Sequence, residues 1–181
     1  MFSIKIDDQL ELRLLHVTNA EEMFNLINTN RPYLKEWLPW VDYTNTVEDS
    51  RQFIESTLMQ FCHNNGFQAG IFYENKLVGM IGLHPINWAN RATAIGYWLA
   101  ESHQGKGIMT KACDTVLQYA FEFLQLNRLE IRAAAENVKS QAIPKRLGFI
   151  YEGRARQSEW LYDHYVDHEV FCMLREDYMK M

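Results

Sequence analysis

The segment Gln104-Gly105-Lys106-Gly107-Ile108-Met109-Thr110 is the sharpest stretch of this 181-residue chain for residue types and spacing that could do chemistry. Two glycines within three residues let a backbone turn tightly and come close to a ligand. The apolar positions that follow have helical spacing, and the first N–H groups of a helix lack intrahelical acceptors and stand at the positive end of its dipole. Such a turn is an anion site, suited to phosphate or pyrophosphate. A Walker-type loop needs Ser or Thr directly after Gly-Lys, but Gly107 follows Lys106. A dinucleotide fingerprint needs a third glycine three residues after the second, but Thr110 stands there. Both readings fail on spacing, and taken alone these residues read rather as a glycine-containing turn before a buried helix.

The elements around this turn follow from periodicity. Leu10–Leu15 alternates as a strand, and Thr18-Asn-Ala-Glu21 resembles a capping box ahead of a helical face of Met23, Leu26 and Ile27. Thr46-Val-Glu-Asp49 is a second start signal, followed by Ile54, Leu58 and Phe61 at i, i+4 and i+7. Phe67–Tyr73 and Leu77–Leu83 flank a turn at Glu74-Asn75-Lys76, and Arg91–Ala100 is a third apolar strand, so the middle is a meander. Apolar positions from Ile108 to Leu124 cover more than half a helical wheel, which predicts a largely buried helix. Leu129–Ala135 reads as a strand, and Val138–Leu147 as a helix ended by Gly148 at the C′ position. Phe149–Arg156 and Tyr165–Leu174 read as closing strands. This order predicts an α+β (mixed α/β) fold with a central, twisted, mostly antiparallel sheet of about seven strands flanked by helices. Its fourth and fifth strands are joined by a crossover helix.

Composition narrows the class. With 48% apolar and 23% charged residues the chain is an ordinary folded one, read as a single domain over residues 1–181. The apolar runs are too short to span a bilayer, and Asp7 and Asp8 interrupt the stretch a signal peptide would need, so no membrane association is expected and the cytoplasm is the expected location. Cys62, Cys113 and Cys172 are odd in number and widely separated, as reduced thiols are. A net charge of −5 argues against a nucleic-acid surface. Between Arg128 and Arg156, however, seven cations face three carboxylates, a local excess of +4 that suits an anionic ligand.

The pattern Gln104-x-x-Gly107 resembles the pyrophosphate loop of the GNAT superfamily of N-acetyltransferases, with Met109 where that family usually has Gly or Ala. Asn137-Val-Lys-Ser140 closed by Leu147-Gly-Phe149 and followed by Glu152-Gly153 looks like the superfamily's second signature. Leu34-Lys-Glu-Trp-Leu-Pro-Trp40 and Val166–Glu176 look like the Rim-type branch, which acetylates the N-terminal α-amine of ribosomal proteins. The resemblance covers nearly the whole chain. It implies acetyl-CoA as cosubstrate and direct attack by the amine in a ternary complex. The implied acceptor is a protein N-terminus, ribosomal or other, and a homo-oligomer is compatible with it.

By this resemblance the coenzyme is held by Gln104, Gly105, Lys106, Gly107, Ile108, Met109 and Thr110, by Asn137 and Ser140, and by the backbone of Trp98 and Leu99 on a strand splayed from its neighbour. Glu159 stands where the branch places a carboxylate and is the candidate base, against the plain reading of an exposed strand residue. Ser140 is the candidate acid for the leaving thiolate, with Tyr151 as second choice. Pro144 should kink its helix and free the Ser140 carbonyl four residues earlier, which would help present Ser140 to the cleft. Cys113 needs no nucleophilic role and reads as a packed thiol. Trp37 and Trp40 are either aromatic core or a lid over the acceptor. His164 and His168 with Asp163 and Asp167 lack a third ligand at convincing spacing, so no metal is expected and they read as exposed hairpin residues. Acetylation of a polyamine or aminoglycoside, and a non-catalytic acyl-CoA sensor, remain alternatives.

Overall fold

The computed structural model describes residues 3–181; Met1 and Phe2, which begin the segment read for a signal peptide, lie outside them. Among the described residues eight strands form one sheet in the order β1-β2-β3-β4-β5-β6-β8-β7. They are β1 (Ser3–Lys5), β2 (Leu10–Leu14), β3 (Phe67–Tyr73), β4 (Lys76–Leu83), β5 (Ala92–Leu99), β6 (Arg128–Ala134), β7 (Ile150–Leu161) and β8 (His164–Leu174). All neighbours are antiparallel except β5 and β6. This parallel pair is the one joined by the crossover helix, as the order of elements requires. The strand beyond the seven expected is β1, three residues whose Ile4 pairs with Leu12. The last hairpin is also longer than expected, since β7 runs on past Arg156 to Leu161.

Helices α1 (Ala20–Thr29), α2 (Arg31–Lys35) and α3 (Val47–Cys62) precede the meander; α4 (Ile108–Gln118) and α5 (Val138–Arg146) follow it, and α6 (Arg175–Tyr178) is a terminal turn. Met23, Ile27 and Ile54 of α1 and α3 pack on Leu77 and Met80 at one face of the sheet. Ala112, Cys113, Val116 and Leu117 of α4 pack on Ile81, Ile95, Leu129 and Ile131 at the other. The start of α3 is the expected box, with the Thr46 hydroxyl accepting from Asp49 N–H at 3.2 Å and the Asp49 carboxylate from Thr46 N–H at 2.7 Å. The first box is shifted: His16, not Thr18, is the cap, and Asn19 Oδ1 accepts from His16 N–H at 3.0 Å to close a 3-10 turn ahead of α1. The helix expected to reach Leu124 is α-helical to Gln118 and then widens into a π turn, Leu124 N–H donating to Tyr119 at 3.0 Å. That extra residue turns Phe123 outward, 73% exposed, where the wheel placed it inside. The end of α5 matches the expected glycine stop: Gly148 takes φ +79°, its N–H donates to Lys145 and that of Phe149 to Pro144, a Schellman closure.

The register of β5 shapes the site. This strand pairs with β4 to its end, Leu99 opposite Gly79, but with β6 over three residues, Ala92–Ala94 against Arg128–Glu130. Beyond Ala94 the two strands part, and one edge of β5 is left facing the gap.

Candidate active site

Glycines 105 and 107 both sit at φ +74°, a left-handed conformation that costs an L-residue roughly 1–2 kcal/mol. A Cβ at either position would meet nothing within 4 Å, so the backbone conformation, not space, calls for glycine there. Gly107 is the N-cap of α4 and has no capping side chain; the first α-helical bond found is Lys111 N–H to Gly107 at 3.1 Å. The N–H groups of Ile108, Met109 and Thr110 therefore point out of the helix start. Ile108 and Met109 are 2% and 7% exposed, so their side chains belong to the core and their contribution is backbone alone. The Met at position 109, where the resembled family has Gly or Ala, thus turns away from the site.

This helix start opens into a cavity of about 920 Å³. Its walls include Trp98, Leu99, Gln104, Gly105, Gly107, Ile108, Met109, Thr110, Asn137 and Ser140, together with Trp37 and Leu38. Lys106 is not among them; its ammonium lies 5.5 Å from the centre of the Tyr73 ring. Lys139 and Arg146 do line it, and they are the part of the basic segment that reaches the cavity. Arg128 and Arg132 are engaged by Glu130 and Glu152, and Arg154 by Glu169. Arg146 donates to the Thr110 hydroxyl at 2.7 Å and so ties α5 to the first turn of α4. Gln104 bridges the mouth, its amide donating to the Tyr33 hydroxyl and its carbonyl accepting from Lys139 at 3.0 Å.

Asn137 caps α5, accepting from Ser140 N–H at 3.0 Å, and thereby fixes the turn that carries Ser140. Pro144 supplies no N–H, so the Ser140 carbonyl lacks its helical donor. The Tyr97 hydroxyl takes that place, donating to Ser140 O at 3.0 Å, while the Ser140 hydroxyl donates to Tyr97 Oη at 3.3 Å. Burial pushes the Tyr97 phenol well above its ordinary range, so it stays a neutral donor. Cys113 is fully buried and burial pushes its thiol up, which suits packing and not attack.

Directly opposed residues share a face of a sheet. Tyr97, Ile131 and Phe171 thus face α4 and α5, whereas Gly96, Trp98, Glu130, Arg132, Ala134 and His168 face the other way. The gap between β5 and β6 is a passage between these two sides, with the helix start on one and Glu159 on the other. Glu159 does not line the cavity; it is 29% exposed at its side chain and accepts from His168 Nε2 at 3.2 Å. His168 itself is 15% exposed, a correction to the reading of an exposed hairpin residue, while His164 at the hairpin tip is exposed. No three His, Cys, Asp or Glu residues converge among the described residues. Three residues beyond Glu159, the Tyr162 hydroxyl donates to Leu38 O at 2.6 Å, docking the β7–β8 hairpin on a cavity wall. Tyr151 lies away from the cavity, 54% exposed, and donates to Glu169 at 2.7 Å. Trp37 lines the cavity, and Trp40 packs on Trp98 with ring centres 6.0 Å apart.

The arrangement fits a long, thin anion-headed ligand: bare helix amides for a diphosphate, an unpaired strand edge for an amide-containing arm, and an exit through the sheet. Residues 9–150 match the family described as acetyltransferase (GNAT) domain. The chain is 32% identical over 174 residues to the ribosomal-protein-serine acetyltransferase of Escherichia coli (strain K12), covering 95% of this chain and 96% of that one. It is similar to the solved RimL ribosomal L7/L12 α-N-protein acetyltransferase in complex with coenzyme A, at TM-score 0.93 and 26% identity, covering 97% and 99% of the two chains. It is also similar to the microcin C7 self-immunity acetyltransferase MccE in complex with acetyl-CoA and AMP, at TM-score 0.90 and 30% identity, covering 94% and 95%.

Proposed function

The chain belongs to the GNAT acetyltransferase family and is an acetyl-CoA-dependent N-acetyltransferase; we propose that the amine it acetylates is the N-terminal α-amine of a protein, a ribosomal protein in the first instance. The observation that carries the acetyl-transfer chemistry is the end of β5–β6 pairing at Ala94 beside the bare start of α4. The relatives named for ribosomal-protein acetylation support the choice of acceptor.

When bound, acetyl-CoA supplies an acetyl thioester. The N–H groups of Gly107 to Thr110 and the cations of Lys139 and Arg146 hold the diphosphate. The backbone of Trp98 is turned to β4, so the free edge is that of Tyr97 and Leu99, which pairs with the pantetheine amides and offers a backbone N–H to the carbonyl oxygen as charge develops on it. The acceptor approaches from the opposite side of the sheet, past Trp37 and the β7–β8 hairpin. An α-amine has a pKa of about 8, so a weak base suffices to take its proton. Glu159 fills that role, directly or through water. The nitrogen then bonds the acetyl carbon as the carbon–sulfur bond breaks, and Ser140 relays a proton to the thiolate, regaining one from solvent in the cavity. Tyr97 holds Ser140 in place for this step.

The test is thiol release from acetyl-CoA over a panel of short N-terminal peptides, the same peptides with blocked α-amines, polyamines and aminoglycosides. Turnover on free α-amines, lost on blocking, is expected. Faster turnover on a polyamine or aminoglycoside overturns the acceptor assignment, and coenzyme binding without turnover on any amine makes the protein a sensor.

A further inference from the structure

Between Ala155 and Glu159 strand β7 carries two more residues than the stretch of β8 it faces, since Ala155 stands opposite His168 and Glu159 opposite Val166. Gln157 in this bulge takes φ +48°, a left-handed conformation uncommon for a residue with a side chain, and its N–H donates to the Asp167 carboxylate at 2.8 Å. The bulge re-aims the strand so that Glu159 lies diagonally across from His168 and meets its imidazole at 3.2 Å. His168 is flanked by Ala134 on β6 and Ala155 on β7, and along its own strand by Val166 and Val170. Glu159 on β7 and Arg132 on β6 are the ionisable groups diagonal to it on this face, and Glu159 is the one that meets its ring. Ala134 lies four residues past the last β5–β6 rung on β6, as Trp98 does on β5, so His168 stands beside the opened part of the gap.

We propose that His168 is a positioning residue for Glu159: its Nε2–H holds the carboxylate on the acceptor side of the gap, in the orientation from which it takes the amine proton. This deepens the reading of Glu159 as the base and rests on it. Small side chains on both flanking strands leave the imidazole room without other polar partners, and the strained bulge is what brings the two groups together. A left-handed residue held by a side-chain bond beside a functional carboxylate is the kind of local cost a fold retains where geometry matters.

The experiment measures kcat and KM for acetyl-CoA and for an acceptor peptide in H168A, H168Q, E159Q and the double variant H168A/E159Q. Glu159→Gln should lower kcat by about 100-fold or more, the scale of a lost general base. His168→Ala should lower kcat at least about 10-fold and leave KM for acetyl-CoA within about 2-fold, because the coenzyme side is untouched. Gln places a donor near the Nε2 position, so H168Q should recover to within about 3-fold of wild type. In the E159Q background His168→Ala should add little, as expected of groups acting as a unit. Wild-type kcat in H168A, a full additional loss in the double variant, or failure of Gln to rescue each overturns the inference. A wild-type kcat in E159Q is a separate failure, that of Glu159 as base, and it takes the inference with it. Should H168A fold poorly, H168Q is compared with H168N, whose shorter side chain cannot reach the carboxylate: a lower kcat in H168N is expected, and equal rates overturn the inference.

Discussion

Replacing Tyr97 by Phe removes one oxygen and tests how α5 tolerates a proline. In the native protein the Ser140 carbonyl has no N–H from Pro144 and is served by Tyr97 at 3.0 Å. Without that hydroxyl a half-buried carbonyl is left unmet, at a cost of roughly 1–3 kcal/mol, and we take about 2. For a domain of this size about 2 kcal/mol corresponds to a fall in Tm of about 4–8 °C. Pro144→Ala restores the N–H that an ordinary helix would supply at that position. In the P144A background the same Tyr97→Phe change should therefore cost only about 0.5 kcal/mol, so the two substitutions couple by about 1.5 kcal/mol. Turnover should behave differently: the Ser140 hydroxyl loses its acceptor, Tyr97 Oη at 3.3 Å, in both backgrounds, so kcat should fall with or without Pro144. Thermal unfolding of the four proteins by circular dichroism, with thiol-release kinetics on each, reads both quantities. Equal Tm losses in the two backgrounds would refute the idea that Tyr97 stands in for the missing helical donor.

Other expectations concern the coenzyme side, the acid limb and the thiols. Gly107→Ala keeps the fold but strains a position at φ +74°, and a loss of roughly 1–2 kcal/mol in loop geometry should weaken acetyl-CoA binding by about 5- to 30-fold in calorimetry. Unchanged binding would show that the loop does not hold the ligand. Arg154's guanidinium, followed by Tyr151's hydroxyl, holds the Glu169 carboxyl below its ordinary 4.5. A carboxylate lowered in the native state contributes stability that is present above the unfolded pKa and disappears as pH falls through the native value. Glu169→Gln should accordingly flatten the loss of stability below about pH 4.5 in urea unfolding, and an unchanged acid limb would count against the pairing. An aromatic disulfide reagent should label Cys62 quickly and spare Cys113, which is fully buried, and Cys172, whose thiol burial pushes up to about 12. Labelling of Cys62 should leave turnover unchanged, and a parallel loss of activity would point to a thiol in the site.

What the sequence discloses and what it withholds divide along range. The Thr46 box, the Gly148 stop and the glycine turn at 105–107 are local, each written in residues a few positions apart, and each appears where its spacing puts it. The shift of the first box to His16 goes unsigned because a histidine ring is not among the side chains that ordinarily cap a helix. β1 is invisible to periodicity because three residues carry too little alternation to register. Tyr97 gives no local sign of its role since its partner lies 43 residues away, although Pro144 announces that a carbonyl will need one. The Glu159–His168 contact depends on a two-residue bulge whose only local trace is Gln157 at positive φ, a conformation its residue type does not advertise. Lys139 and Arg146 sit within a basic stretch, but the ion pairs that consume its other arginines are cross-strand contacts, so spacing does not separate them.

Because the fork in the sheet is set by where β5 and β6 stop exchanging backbone bonds, no side chain has to move to open it. In the proposed reading the berth for the coenzyme arm comes with the topology of the chain. Little ordering entropy is then lost at docking, and substitutions on the amine side can drift from one acceptor to another while the donor half stays as it is.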